Sequence, residues 1–156
     1  MKKHFLILLF ISLNLTTIAQ IDFENPPWGK ECETLTSQSE MSACSYENFL
    51  IADSILNTYY DSIVSYLNSQ YINELEFSTD TTDNFQKEYF IQLKEQKEFV
   101  IKSKKDFEKF RSSTTKIIEY EYKGGTVQPM AVNIYALDLT VNQIKVLINL
   151  MNEIIY

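Results

Sequence analysis

The sequence predicts an all-α domain: a small bundle of three main amphipathic helices, preceded by a short N-terminal helix that a disulfide tethers. First, no glycine or proline occurs from Lys30 to Lys123, a span of 94 residues without either common helix breaker. Second, apolar residues recur there at alternating spacings of three and four, which places them on one face of a helix. Third, the 156-residue chain leaves 136 residues after a 20-residue leader, which suits one domain with a modest core.

Residues 1–20 have the pattern of a secretory signal peptide. Lys2 and Lys3 precede an apolar run from Phe5 to Leu13, and small residues close the segment. The run is too short for a permanent transmembrane anchor. A lipoprotein signal would place a cysteine directly after the cut, whereas the first cysteine lies twelve residues beyond Gln20. We therefore predict an exported protein, periplasmic or secreted, without a lipid anchor or a stable membrane anchor.

The predicted mature protein is acidic. Without Lys2 and Lys3, the 14 basic residues become 12 against 21 Asp and Glu, and the net charge is −9. This charge argues against nucleic acid and anionic membranes as partners and favours a cationic protein; alternatively, it only keeps an exported domain soluble. His4, the only histidine, leaves with the leader, which excludes a histidine triad or zinc site. We expect no catalytic residues, no metal and no cofactor.

The helical domain is predicted to span residues 32–156, after an extended segment over residues 21–31. Cys32 and Cys44 are the only cysteines and enclose eleven residues. An exported protein can oxidise them, and the crosslink would stabilise the fold by roughly 3 kcal/mol in the chain-entropy model. Ser37 and Glu40 have the spacing of a capping box, which predicts a short helix inside the loop.

The first long helix is predicted from about Ser45 to Tyr71. Its apolar stripe consists of Phe49, Ala52, Leu56, Tyr59, Ile63 and Tyr66. The polar stretch from Glu74 to Asn84 ends this pattern, and Asp83 with Gln86 is predicted to cap a second long helix.

The second helix has an apolar seam with two polar interruptions, which we expect to pair with a neighbouring helix. The seam consists of Phe85, Tyr89, Leu93, Gln96, Val100, Ser103, Phe107 and Phe110. After Arg111 the β-branched residues predict either frayed helix or extended chain, and residues 122–126 predict a loop. A final helix is predicted from about Ala131, and a capping box from Thr140 to Gln143 offers an alternative point at which it restarts. Its stripe consists of Leu137, Ile144, Ile148, Met151 and Ile155.

A set of motif residues is spread over nearly the whole mature chain: Cys32, Glu40, Met41, Cys44, Ala52, Asp53, Leu56, Asn57, Tyr60, Leu93, Gln96, Phe99, Gly124, Gly125, Thr126, Leu139 and Thr140. In this order, the set resembles the lysozyme inhibitor LprI-like domain family of exported bacterial proteins. The first half is the specific part. In the second half, the family usually has a tryptophan at the position of Phe99.

Two later cysteines of the family are missing from this chain, where Phe107 and Tyr135 stand near their positions. Their joint absence is expected if they pair with each other in the family, so the resemblance implies a disulfide between Cys32 and Cys44. It also implies a small exported helical domain, without known catalytic chemistry, that in some members inhibits lysozyme.

The other motif residues are predicted to be structural. Ala52, Leu56 and Tyr60 share a helical stripe, while Asp53 and Asn57 lie four apart on an adjacent face and could hydrogen-bond a neighbouring helix or loop. We favour this packing role over a ligand site.

Two features near the ends of the domain leave alternatives open. We favour a tight turn at Gly124 and Gly125 over an anion-binding nest. Trp28 follows two prolines and either packs on the bundle as a lid or stands exposed as a partner anchor; we favour packing.

Three hypotheses for function follow. The first is an exported protein that inhibits a cationic glycan hydrolase such as lysozyme, using its acidic surface for encounter. The second is an envelope interaction or structural domain with another partner and no lysozyme activity. The third, an enzyme, has little support, because neither paired carboxylates nor a glycine-rich phosphate loop stands out.

Overall fold

The computed structural model describes residues 21–77 and 84–155. In that part of the chain it contains three α-helices and no strand: α1, Gln38–Phe77; α2, Asn84–Glu121; and α3, Gln128–Ile155. The all-α prediction is confirmed. The predicted signal peptide and Asp83 of the second capping box lie outside the described residues.

α1 begins inside the cysteine loop because Ser37 caps it. The Glu40 backbone N–H donates to the Ser37 hydroxyl at 3.2 Å, while the Glu40 carboxylate accepts from the Ser37 N–H at 3.1 Å. These are the two reciprocal bonds of a capping box. The short helix predicted here is therefore continuous with the first long helix, so one element of 40 residues replaces two.

The core lies along the predicted stripe of α1. Ala52, Leu56, Tyr59 and Ile63 are each at most 2% exposed, and they pack with apolar residues of the other two helices. From those helices, the buried members of the core are Leu93, Ile144, Leu147 and Met151. Trp28 is 6% exposed and belongs to the same cluster, so the predicted lid is confirmed.

The inner face of α2 differs from the predicted seam. Leu93 is buried, and Val100 and Phe107 pack against the core, as expected. Gln96, Ser103 and Phe110 are exposed instead. The prediction for these three was wrong because two charged residues take the inner positions between the apolar ones. They are Lys104, 3.5 Å from the Asp61 carboxylate, and Arg111, 2.6 Å from the Asp53 carboxylate.

Two further predictions about helix ends were wrong. α2 continues through residues 112–121, where frayed or extended chain was expected. The Gln128 side chain stabilises this end, since its amide donates to the Glu119 carbonyl at 3.2 Å and accepts from the Gly124 N–H at 3.3 Å. α3 does not restart at Thr140, whose hydroxyl donates to the Ala136 carbonyl within one continuous helix.

The turn between α2 and α3 requires a glycine. Gly124 has φ of +79°, a left-handed conformation that ends a helix readily only when no Cβ is present. The Gly125 N–H donates to the Tyr122 carbonyl at 2.9 Å, and α3 begins three residues later. This pair therefore closes a tight turn.

Candidate functional site

Two kinds of contact attach the segment around Cys32 to α1: a disulfide and hydrogen bonds from a buried asparagine. Cys32 and Cys44 form a disulfide with their Cα atoms 5.6 Å apart, as the sequence predicted. Asn48, one turn further along α1, donates from its amide to the Lys30 carbonyl at 2.9 Å and to the Cys32 sulfur at 3.4 Å. Asn48 is 4% exposed. The sequence does not indicate this role, since a lone asparagine in a helix gives no signal of the segment that it binds.

A polar cluster joins the three helices near their middle. The Arg111 guanidinium donates to the Asp53 carboxylate at 2.6 Å and to the Thr140 hydroxyl at 2.8 Å. It also lies 5.0 Å from the ring centroid of Phe49 and 5.4 Å from that of Phe107. With side-chain exposures of 14% for Arg111 and 28% for Asp53, this cluster has little access for a ligand.

The motif residues from the sequence analysis divide into an inner group and an outer group. Ala52, Leu56 and Tyr60 are buried, and Asn57 donates to the Asp53 backbone carbonyl at 2.9 Å. The buried Tyr60 hydroxyl accepts from the Gln143 amide at 2.9 Å, a contact between α1 and α3. The structural role predicted for this inner group stays a prediction, although the contacts are those that packing would need.

Gln96 and Phe99 form the outer group. Both are exposed, and Phe99 is 67% exposed. They lie on α2 far along the chain from the turn at Gly124 and Gly125. The structure thus does not bring the motif residues together into one site, and the exposed aromatic ring is the member most available to a partner.

The charges are unevenly distributed between the first half of the chain and α2. Residues 21–77 contain ten Asp and Glu against a single Lys, a balance of −9, and the 40 residues of α1 contain neither Lys nor Arg. α2 contains nine Lys and Arg against seven Asp and Glu, a balance of +2. The acidity of the mature protein is therefore concentrated in residues 21–77, which we call the acidic half.

The carboxylates near the disulfide are solvent-facing, and local hydrogen bonds favour their charged form. Bonds from Ser37 and Thr36 lower the pKa of Glu40, and the contact with the Lys30 ammonium lowers the pKa of Glu47. The Lys30–Glu47 pair is 2.8 Å long and 59% exposed on both sides. Such a pair is weak, so Glu47 can exchange Lys30 for a cationic partner.

Within the described residues, no group of three or more His, Cys, Asp or Glu side chains is placed to hold a metal ion. None of the three helices is both long enough and apolar enough to cross a membrane.

The chain matches one protein-family model, described as "Lysozyme inhibitor LprI", over residues 30–147. The match begins two residues before Cys32 and ends within α3, so it includes the disulfide loop, the polar cluster and the turn at Gly124. Neither the curated proteins nor the solved structures contain a significant match.

Proposed function

The chain belongs to the lysozyme inhibitor LprI family, and on this premise we propose that it is an exported, non-enzymatic protein that binds and inhibits a cationic lysozyme-like hydrolase. The observation that carries the proposal is the acidic half, with ten acidic residues and one lysine over residues 21–77.

Concentrated negative charge speeds the encounter with a cationic enzyme. Potentials of one sign over an extended surface raise association rates by about 10- to 1000-fold at low salt. α1 supplies such a surface because no basic side chain interrupts its 40 residues. The attraction falls as salt shortens the screening length, so charge alone would give a salt-sensitive interaction.

Affinity also needs apolar contact, and the acidic half offers it beside its charges. Tyr46 and Leu50 are 50% and 45% exposed and lie four residues apart on α1, on either side of Glu47. Tyrosine is enriched among the few residues that contribute most of the binding energy at protein interfaces, and Leu50 adds apolar area beside it. A target could pack on Tyr46 and Leu50 while a cationic side chain replaces Lys30 at Glu47.

The direct test is lysis of a peptidoglycan suspension by lysozyme, with and without the mature domain, at two salt concentrations. A triple variant neutralises three exposed carboxylates near the disulfide, and a control triple variant neutralises three exposed carboxylates of α2, so both change the net charge by +3. The test variant carries Glu31→Gln, Glu33→Gln and Glu47→Gln, and the control carries Glu98→Gln, Glu108→Gln and Glu119→Gln. We expect the test variant to lose inhibition and the control to retain it.

Inhibition that is equally weakened in both variants would mean that net charge matters and the acidic half does not. No inhibition at large molar excess, by a protein that circular dichroism shows to be helical, would contradict lysozyme as the target. The second hypothesis, an envelope interaction domain with another partner, would then be favoured, because α2 also presents an exposed aromatic surface.

A further inference from the structure

α2 carries a second row of residues beside its inner face. Its inner face packs on the bundle through Leu93, Val100 and Phe107. The second row follows alternating spacings of four and three, and every member is exposed: Phe99, Ser103, Asp106, Phe110, Ser113 and Ile117. We call these six residues the outer row. At 1.5 Å per residue, it is about 27 Å long.

The large members of the outer row are unusually open to solvent. Phe99, Phe110 and Ile117 are 67%, 55% and 67% exposed. Single exposed apolar residues are common on proteins, whereas several along one line indicate an interaction surface. Phe99 and Phe110 border a groove of about 560 Å³, whose lining also includes Gln143 of α3. The groove therefore lies between α2 and α3, where a helix of another protein could pack.

Lysines line one edge of the outer row. Lys102, Lys109 and Lys116 recur every seven residues, all are exposed, and Lys123 follows at the same interval just beyond the end of the helix. Lys102 pairs with Asp106 at 2.6 Å, but both side chains are more than 60% exposed, so the pair is readily replaced.

We propose that the outer row is a docking surface for an amphipathic helix of a partner protein, one with acidic residues along its flank. Spacings of three and four are those by which one helix packs its apolar seam on another. Charges beside such a seam select the partner, and lysines at a seven-residue interval select an acidic flank. This proposal goes beyond hydrolase inhibition and is independent of it, because it uses a different helix and the opposite sign of charge.

A second copy of the chain fits this surface less well. Two copies that paired antiparallel along their outer rows would place the lysine edges beside each other, with Lys109 near its own counterpart and Lys102 near Lys116. Like charges at these positions disfavour pairing.

The test uses two synthetic helical peptides of roughly three heptads each, with Leu at the seam positions and either Glu or Lys at the flanking positions. Fluorescence anisotropy would measure binding of each peptide to the folded domain. We expect the Glu peptide to bind at least about tenfold more tightly than the Lys peptide, with the difference shrinking as salt is raised.

Two pairs of variants localise the binding. Phe99→Ser with Phe110→Ser should weaken binding of the Glu peptide by at least about tenfold, whereas Ile72→Ser with Ile91→Ser, at positions 54% and 58% exposed elsewhere, should not. Neutralising the lysine edge to Gln at 102, 109 and 116 should abolish the preference for the Glu peptide. The same change at Lys87, Lys94 and Lys105, three other exposed lysines of α2, should preserve it.

Three results would overturn the proposal. Equal affinity for both peptides would show that charge does not select the partner. Binding to phosphatidylglycerol vesicles that Phe99→Ser with Phe110→Ser abolishes, without binding of the Glu peptide, would assign the surface to membranes. Self-association in analytical ultracentrifugation that the same variant abolishes would assign it to a second copy.

Discussion

Replacing Arg111 with Ala breaks the polar cluster that joins the three helices. The guanidinium donates to Asp53 of α1 and Thr140 of α3 from its own position on α2, at 2.6 and 2.8 Å. Without it, the Asp53 carboxylate loses its cation and the Thr140 hydroxyl, which is 0% exposed, loses a donor. Both losses lower the stability of the folded state and leave the unfolded state nearly unchanged.

The magnitude follows from the geometry. Each hydrogen bond to a charged group contributes about 1.5–3 kcal/mol, and the bond to Asp53 belongs at the lower end because that side chain is 28% exposed. Contact of the guanidinium with the rings of Phe49 and Phe107 adds about 0.5–1 kcal/mol. We therefore expect Arg111→Ala to lower the free energy of unfolding by about 3.5–5.5 kcal/mol.

The assay is urea unfolding followed by circular dichroism. With a slope of about 2 kcal/mol per molar urea for a domain of this size, the midpoint should fall by about 1.8–2.8 M. Lys102→Ala is the matched control, because its 2.6 Å pair with Asp106 is equally short but 70% and 61% exposed. An exposed pair contributes little, so the control should change the free energy of unfolding by less than about 0.5 kcal/mol.

Equal, small shifts for the two variants would refute the reasoning, because burial would then not distinguish the pairs. Arg111→Met separates the remaining explanations, since it keeps an apolar stem without the donors. A stability close to that of the unmodified protein would assign the stabilisation to packing of the stem and not to the polar cluster.

Further predictions concern the disulfide end. Non-reducing mass spectrometry should show the Cys32–Cys44 crosslink, and Cys44→Ser should lower the free energy of unfolding by about 3 kcal/mol; two free thiols in exported protein would contradict this. Trp28→Ala should cost about 3–5 kcal/mol in urea unfolding because it empties a core position; a loss below about 1 kcal/mol would contradict its role as a lid. Hydrogen bonds from Ser37 lower the pKa of Glu40 in the folded state. Its contribution to stability should therefore be complete above the unfolded pKa and be lost as pH falls through the folded pKa. An NMR titration that places the pKa of Glu40 at or above the ordinary glutamate value of 4.5 would contradict the cap.

The first half of the fold was predictable because its signals agree. In α1, the cap at Ser37 and Glu40, the stripe through Ala52 and Leu56 and the absence of helix breakers all predict the same helix. The disulfide of Cys32 was predictable because the loop to Cys44 is short and the predicted leader implies an oxidising compartment. What the sequence could not show is that the helix inside the loop continues unbroken, since no local signal separates or joins two adjacent helical segments.

The second half was less predictable because tertiary contacts outweigh local preference there. The β-branched residues after Arg111 disfavour helix weakly, but packing on the core and the bonds from Gln128 to Glu119 and Gly124 hold the helix to its end. Thr140 has the sequence signature of a cap, yet its hydroxyl bonds back to Ala136 inside α3. Thr140 also accepts a hydrogen bond from Arg111 of α2, a partner that the local sequence does not indicate.

The inner positions of Lys104 and Arg111 explain why α2 has aromatic residues on its surface. A rule that places apolar residues inside assigns Phe110 to the core, but Lys104 and Arg111 have inner positions because Asp61 and Asp53 of α1 neutralise them. Neighbouring residues of an α-helix point in directions about 100° apart, and only part of the circumference faces the core. A rotation of α2 that places Arg111 inside therefore places Phe110 outside. The acidic side chains of α1 thus hold the cations of α2 against the bundle, which leaves aromatic residues on the outside. If this is the origin of the outer row, Arg111→Met should lower the free energy of unfolding in urea more than Phe110→Ser does, even though phenylalanine is more apolar than arginine.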